Sequence, residues 1–394
     1  MRAPFELPEV GTPFPVRANP HIEAARRQLK DWVAALGLLA DGSIWTEADV
    51  DAADYARFAG LAHPDAGRST LELLADWHTL LYYIDDLSAK VFKPSGNLAA
   101  VRLFLTRLAA FMPEDGRPAP TPTTSVERGI LDLWNRSVLS MNPRLRGKLP
   151  GLVAEIGEST LWEMANLLQG RTADPVDHLE MRRRSVGADF SATLAQHGAG
   201  VLLPPEVADA RPIRALLDIF ADVKGLSNDI VSYAKEAADG ELLNNGIEIN
   251  AAFLDTDLPH AVAIHADLMN SRLRQFTDIA TNDVPGLTAE FDLGPAASAA
   301  VGRYVGMLSD WLAGYVAWAG DSGRYPQAVA VPSATDLPGT APKHVPDPAG
   351  LASGRSFRGP TGLGTSAAAL FTSAVTSPHP VARSLVGIGV LIDD

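Results

Sequence analysis

Three oxygen-bearing side chains, Asn228, Ser232 and Glu236, recur every four residues in the run Leu226-Ser-Asn-Asp-Ile-Val-Ser-Tyr-Ala-Lys-Glu236. In a helix turning about 100° per residue, a four-residue step advances roughly 40°. The amide, hydroxyl and carboxylate therefore fall on one narrow stripe. Such a set suits a hard divalent cation such as Mg²⁺, which takes oxygen ligands and keeps positions for water and substrate phosphates. Taken alone, an N-x3-S-x3-E pattern also arises on solvated helix faces. Two further features favour chemistry. Asp85-Asp86 closes the largely apolar stretch Trp77-His-Thr-Leu-Leu-Tyr-Tyr-Ile84, where adjacent carboxylates are costly unless a cation or water meets them. Arg182-Arg-Arg184 is a dense positive cluster in an acidic chain. A diphosphate would bridge these groups, with oxygens for Mg²⁺ on one side and for guanidinium on the other.

The elements that must carry these residues read as helices. Apolar residues recur at helical spacing over 21–39, 70–92, 97–112, 125–140, 147–170, 176–198, 210–238, 246–254, 259–282, 287–293 and 295–319. Thr46, followed by Glu47 and Asp49, reads as a helix start. No stretch alternates with a period of two and β-branched enrichment, so no strand is expected. The economical fold is an all-α bundle with its ligand site built from side chains on facing helices. Residues 1–20, punctuated by Pro4, Pro8, Pro13, Pro15 and Pro20, should lie extended. Residues 21–325 form the main domain. From 326 to 394, Pro, Gly, Ser, Ala and Thr dominate, which predicts a mostly flexible tail.

Composition narrows the function. With 394 residues and a 46% apolar share, the chain can bury a large core. A net charge of −14 argues against nucleic acid as a partner, so the arginine cluster reads as a local anion site. The absence of cysteine removes disulfides, thiolate metal centres and cysteine nucleophiles. No run reaches the ~18 apolar residues that span a bilayer, and the N-terminus lacks a signal-peptide core. A soluble, cytoplasmic protein is expected.

In combination these motifs resemble the bacterial class I terpene cyclases, most nearly the N-terminal, germacradienol-forming half of germacradienol/geosmin synthases. Asn228-Asp-Ile-Val-Ser232-Tyr-Ala-Lys-Glu236 is similar to that family's second metal motif, Asp85-Asp86 to its aspartate-rich motif, and Arg324-Tyr325 to its closing Arg-Tyr pair. The likeness extends to Phe5-Glu-Leu-Pro8, Asn19-Pro-His21, His63-Pro-Asp65, Leu161-Trp-Glu163, Glu180-Met-Arg-Arg183 and Gly362-Leu-Gly-Thr-Ser366. The resemblance implies a class I terpenoid synthase helical bundle around a central apolar pocket. It also implies three Mg²⁺ ions bound with the diphosphate, one held by Asn228, Ser232 and Glu236 and two by Asp85. Arg182 would sense the diphosphate, and Lys235, Arg324 and Tyr325 would hydrogen-bond it. Val186, with Gly187 beside it, stands at the position whose backbone carbonyl assists ionisation. Trp77, Tyr82, Tyr83, Phe190, Trp311 and Trp318 are candidates for an aromatic pocket wall, although each also reads as plain core.

The implied reaction ionises farnesyl diphosphate and cyclises the cation to a sesquiterpene hydrocarbon or alcohol. Geranylgeranyl diphosphate is the alternative substrate, and the resemblance leaves a homodimer open. Lys90 departs from the pattern, standing where relatives carry a further acid. It either points away from the metals or weakens their binding, and the latter would suit a degenerate, non-catalytic isoprenoid-binding protein. A chain-elongating prenyltransferase would need a second aspartate-rich motif in place of the Asn/Ser/Glu set.

Overall fold

The computed structural model describes residues 10–40, 42–114 and 116–325. The first nine residues and the whole of the expected tail from 326 lie outside the described residues, as does Gly362-Leu-Gly-Thr-Ser366. Among the described residues every regular element is helical, and none is a strand. Residues 10–20 contain no helix, as their prolines require.

Local sequence explains most helix boundaries. Thr124 caps Ser125–Ser140 in a reciprocal box with Glu127, and Thr46 does the same with Asp49 for Glu47–Ala53. Asn245 caps Gly246–Leu254 through its side chain. Three features depart from the sequence expectation. A helix at Tyr55–Ala62 was hidden by its brevity; Asp54 caps it and almost every residue in it is buried. The pattern over 176–198 is two helices, Pro175–Ser185 and Ala188–Gly198, broken at Gly187 with φ 60°. A side chain is strained in that backbone region, and a Cβ at Gly187 would also press on Ile156 at 3.0 Å. Finally, the helix Arg68–Leu87 runs on into a π-turn, Ser88–Phe92. Such wider turns recur at functional sites because they change which side chains face a cavity.

The helix Arg211–Asp239 is the structural axis. It packs against Leu258–Asp278, Pro295–Asp321, Pro175–Ser185 and Ala188–Gly198. Its buried residues Ile213, Leu216, Ile219, Phe220 and Val223 supply the apolar contact. Pro295–Asp321 crosses Tyr55–Ala62 and adds Trp311, Tyr315 and Trp318 to the core.

That crossing depends on Gly314, because a Cβ there would overlap the Leu61 carbonyl group. Gly306, on the same helix, is exposed with nothing near its would-be Cβ. Gly314→Ala should therefore destabilise the protein by about 1–3 kcal/mol, whereas Gly306→Ala should stabilise it by roughly 0.5–1 kcal/mol. Urea denaturation of the two variants checks this, and equal effects would contradict the packing account.

Candidate active site

Stepping back from Asp85 by three and four residues reaches Tyr82, Leu81 and His78, and all four line one cavity. A helix face generates that set, since such steps stay within one stripe. Asp85 itself is largely exposed at the cavity mouth. The facing helix contributes Lys224, Asn228, Ser232, Lys235 and Glu236 to the same cavity, again from one stripe with three- and four-residue steps. Arg182, Val186 and Gly187 reach it from the broken helix pair, and Trp311, Tyr315, Arg324 and Tyr325 from the C-terminal side. The structure thus brings Asp85, Arg182, Val186, Asn228, Ser232, Lys235, Glu236, Arg324 and Tyr325 to a single chamber.

The metal-type stripe is internally tied. Ser232 Oγ lies 2.6 Å from both the Asn228 carbonyl oxygen and Glu236 Oε1. Asn228 Oδ1 accepts from Arg182 Nη2 at 2.6 Å, and its amide nitrogen donates to the Tyr315 hydroxyl at 2.8 Å. Burial pushes the Glu236 carboxyl above its ordinary range, against the lowering influence of Arg182. A buried acid in that condition, beside amide and hydroxyl oxygens and across the cavity lining from Asp85, is a donor set that a hard divalent cation fits.

The cations are held by carboxylates. Arg324 Nη1 donates to Asp86 Oδ2 at 2.8 Å, while Nη2 reaches Asp86 Oδ1 and Asp85 Oδ2, each at 3.0 Å. Asp86 also accepts from Trp45 Nε1 at 2.7 Å and pairs with Lys235 at 3.1 Å. Burial alone would raise the Asp86 carboxyl, but Arg324 and Lys235 outweigh it and hold it well below the usual range. Arg182 pairs with buried Asp229 at 2.6 Å, a close approach that Gly225 permits, since a Cβ there would lie 2.9 Å from Arg182 Cγ.

Two groups of expected and unexpected residues differ from the sequence reading. Of the aromatic candidates, Tyr82 and Trp311 line the cavity. Trp77, Tyr83, Phe190 and Trp318 lie behind the lining. Trp77 is bonded to Ser137 and edge-on to Phe190, Tyr83 contacts Ser43 and Trp45, and Trp318 donates to the Ala53 carbonyl. Trp77 and Tyr83 fall off the Asp85 stripe, whereas Trp318 shares the Trp311 stripe but sits past the chamber. Phe58, His78 and Tyr315 take the wall positions instead.

Sequence reasoning also missed Lys93, Glu163 and Glu241. Lys93 pairs with Glu163 at 3.1 Å and Glu241 at 2.9 Å on the lining. No local pattern announces that trio, which comes from three separated segments. Lys90, by contrast, leaves the cavity: its Nζ donates to the Ile44 carbonyl at 3.2 Å. Ser88, at the start of the π-turn, and Lys93, just after it, reach the lining in its place.

Asp229 anchors Arg182. Burial works to raise its carboxyl, but Arg182 first and His178 next hold it down at about 2. A folded-state value below the unfolded one stabilises the fold above about pH 4, and that contribution is lost as pH falls from about 4 toward 2. Asp229→Asn, which leaves Arg182 buried without its counter-charge, should cost about 3–5 kcal/mol at neutral pH. Its penalty should shrink as pH falls below about 4. Denaturant titrations of both proteins at neutral and acid pH check this, and a pH-independent difference would contradict it.

Comparison with known proteins agrees with this geometry. A profile of terpene synthase family 2, C-terminal metal binding, matches residues 76–275. Pristinol synthase of Streptomyces pristinaespiralis is 30% identical over 328 residues, covering 79% of this chain and 83% of that protein. 4-epi-Cubebol synthase of Streptosporangium roseum, described as (2E,6E)-farnesyl diphosphate cyclizing, is 25% identical over 325 residues, covering 82% of this chain and 94% of that one. The crystal structure of germacradien-4-ol synthase from Streptomyces citricolor shares the fold with a TM-score of 0.68, covering 78% of this chain and 98% of that chain at 24% identity. The helical chamber, its metal-type stripe and these matches lead to one conclusion: the chain belongs to the terpene synthases, enzymes of the class I helical fold.

Proposed function

We propose that this terpene synthase ionises farnesyl diphosphate with Mg²⁺ and cyclises the resulting cation to a sesquiterpene. One observation carries the reading. Asp85, Asn228, Ser232 and Glu236 line the same cavity as Arg182, Lys235, Arg324 and Tyr325, and that cavity continues into Phe58, Tyr82, Trp311 and Tyr315. Oxygen donors and cations suit a diphosphate, and the aromatic faces suit a hydrocarbon cation. The substrate is supported by the 4-epi-cubebol synthase, a relative described as farnesyl diphosphate cyclizing.

On this reading Asn228, Ser232 and Glu236 would hold one Mg²⁺ and Asp85 two more. When bound, these ions would supply positive charge against the leaving diphosphate. Arg182, Lys235, Arg324 and the Tyr325 hydroxyl donate hydrogen bonds to the same leaving group. Carboxylate partners already fix the two arginines and Lys235 in place, so little reorganisation accompanies charge development. Val186 and Gly187 end the helix Pro175–Ser185, whose carbonyl terminus carries partial negative charge. That end is suited to stabilise a nascent allylic cation. The ring faces of the wall offer no lone pair to trap the cation.

Purified protein given farnesyl or geranylgeranyl diphosphate, with Mg²⁺ or a chelator, tests the proposal. Diphosphate release and a C15 terpene are expected from farnesyl diphosphate with Mg²⁺ only. Glu236→Gln and Arg324→Ala should each lower kcat/KM by about 100-fold or more. Turnover of geranylgeranyl diphosphate alone would overturn the substrate, and unchanged turnover with the chelator would overturn the Mg²⁺ role.

A further inference from the structure

Six residues on the cavity lining carry a basic nitrogen, and five of them are already committed. Arg182 is paired with Asp229, Lys93 with Glu163 and Glu241, Lys235 with Asp86 and Asp239, and Arg324 with Asp85 and Asp86. The neutral imidazole of His78 has its Nε2 bound to His63 Nε2 at 2.9 Å. Lys224 is the exception. Among the described residues no carboxylate stands within ion-pairing distance of it. Its Nζ instead donates to Ser191 Oγ at 2.7 Å and to the Gly187 carbonyl at 3.3 Å, both uncharged acceptors. It also lies 4.7 Å from the centre of the Trp311 ring.

Position gives this amine its meaning. Lys224 precedes Asn228 by four residues on the same cavity-facing stripe, so it sits about 6 Å further along the helix axis from the metal-type residues. On the lining it lies between Ser191 and Gly187 on one side and the aromatic wall residue Trp311 on the other, which places it beside the hydrocarbon wall rather than among the metal-type residues. A neutral amine has two N–H groups and one lone pair. Ser191 and Gly187 take two directions around Nζ, and a third remains for the chamber.

Resting on the terpene-cyclising reading, we propose that Lys224 is the base that ends the reaction. Its amine takes a proton from the carbon next to the final cationic centre. The C–H electron pair becomes the new C=C bond, Nζ gains the proton, and the olefin leaves as a neutral molecule. The ammonium then gives its proton to water once the olefin has left.

The surroundings keep the amine available. Burial first, and the Arg182 guanidinium second, push Lys224 down to about 7, with Asp189 opposing only in part. Arg182, Asp189 and His78 are the titratable groups that act on it from the neighbouring helices. An amine of that strength has its lone pair free above neutral pH and is blocked by protonation below it.

The test compares product mixtures and diphosphate release from farnesyl diphosphate for the wild type and Lys224→Met, between about pH 6 and pH 8.5. In the wild type, the share of the main olefin should fall as pH drops through about 7. In Lys224→Met that share should fall about tenfold or more at every pH, in favour of isomeric olefins or alcohols. The wild-type pH profile decides the matter even if the variant does not fold. A profile without pH dependence, an alcohol as the sole wild-type product, or an unchanged mixture from Lys224→Met would each overturn the inference while leaving the cyclase reading intact. Absence of diphosphate release from the wild type would overturn both.

Discussion

A guanidinium removed from water must keep a counter-charge, and the ion pair between Arg324 and Asp86 meets that demand at the mouth of the chamber. Both side chains are about 95% buried. Asp86 also gathers Lys235 from the central helix and Trp45 from the N-terminal region, so one carboxylate joins three parts of the chain. Breaking such a pair from one side is far more costly than the pair is stabilising. On the proposed function, this pairing holds positive charge in a fixed geometry before the diphosphate arrives. Arg182 with Asp229 repeats the device on the other side of the metal-type stripe.

The two neighbouring aspartates therefore divide their labour. Asp86 faces inward and organises cations, while Asp85 stays largely exposed on the lining with a single contact to Arg324, where the proposed function has it hold metal. The π-turn after Asp86 turns Lys90 toward the Ile44 carbonyl, away from the lining. Positive charge still enters that side of the chamber, but through Lys93, which arrives already paired with Glu163 and Glu241.

What could be seen in the sequence was what helical periodicity encodes. Asn228, Ser232 and Glu236 lie on one stripe because four-residue steps leave no alternative in a continuous helix. The all-α architecture, the helix Ser125–Ser140 and the helix Gly246–Leu254 were visible for the same reason, aided by caps. The wall was less visible because apolar aromatics serve core and cavity alike. The stripe rule could have helped: counting back from Asp85 selects Tyr82 and His78 over Trp77 and Tyr83, and counting back from Asn228 selects Lys224. Trp318 shows the limit of that rule, since it shares the Trp311 face but is drawn to the Ala53 carbonyl beyond the chamber. Lys93, Glu163 and Glu241 could not be found by any local count, because tertiary packing alone assembles them.

The central claim is that this cleft combines oxygen donors and cations to grip a diphosphate through a divalent metal. Calorimetric titration of the purified protein with inorganic diphosphate, with and without Mg²⁺, tests it most directly. The account predicts saturable binding that requires Mg²⁺ and is lost in Glu236→Ala. Equal binding in the presence of a chelator, or binding untouched by that substitution, would contradict it.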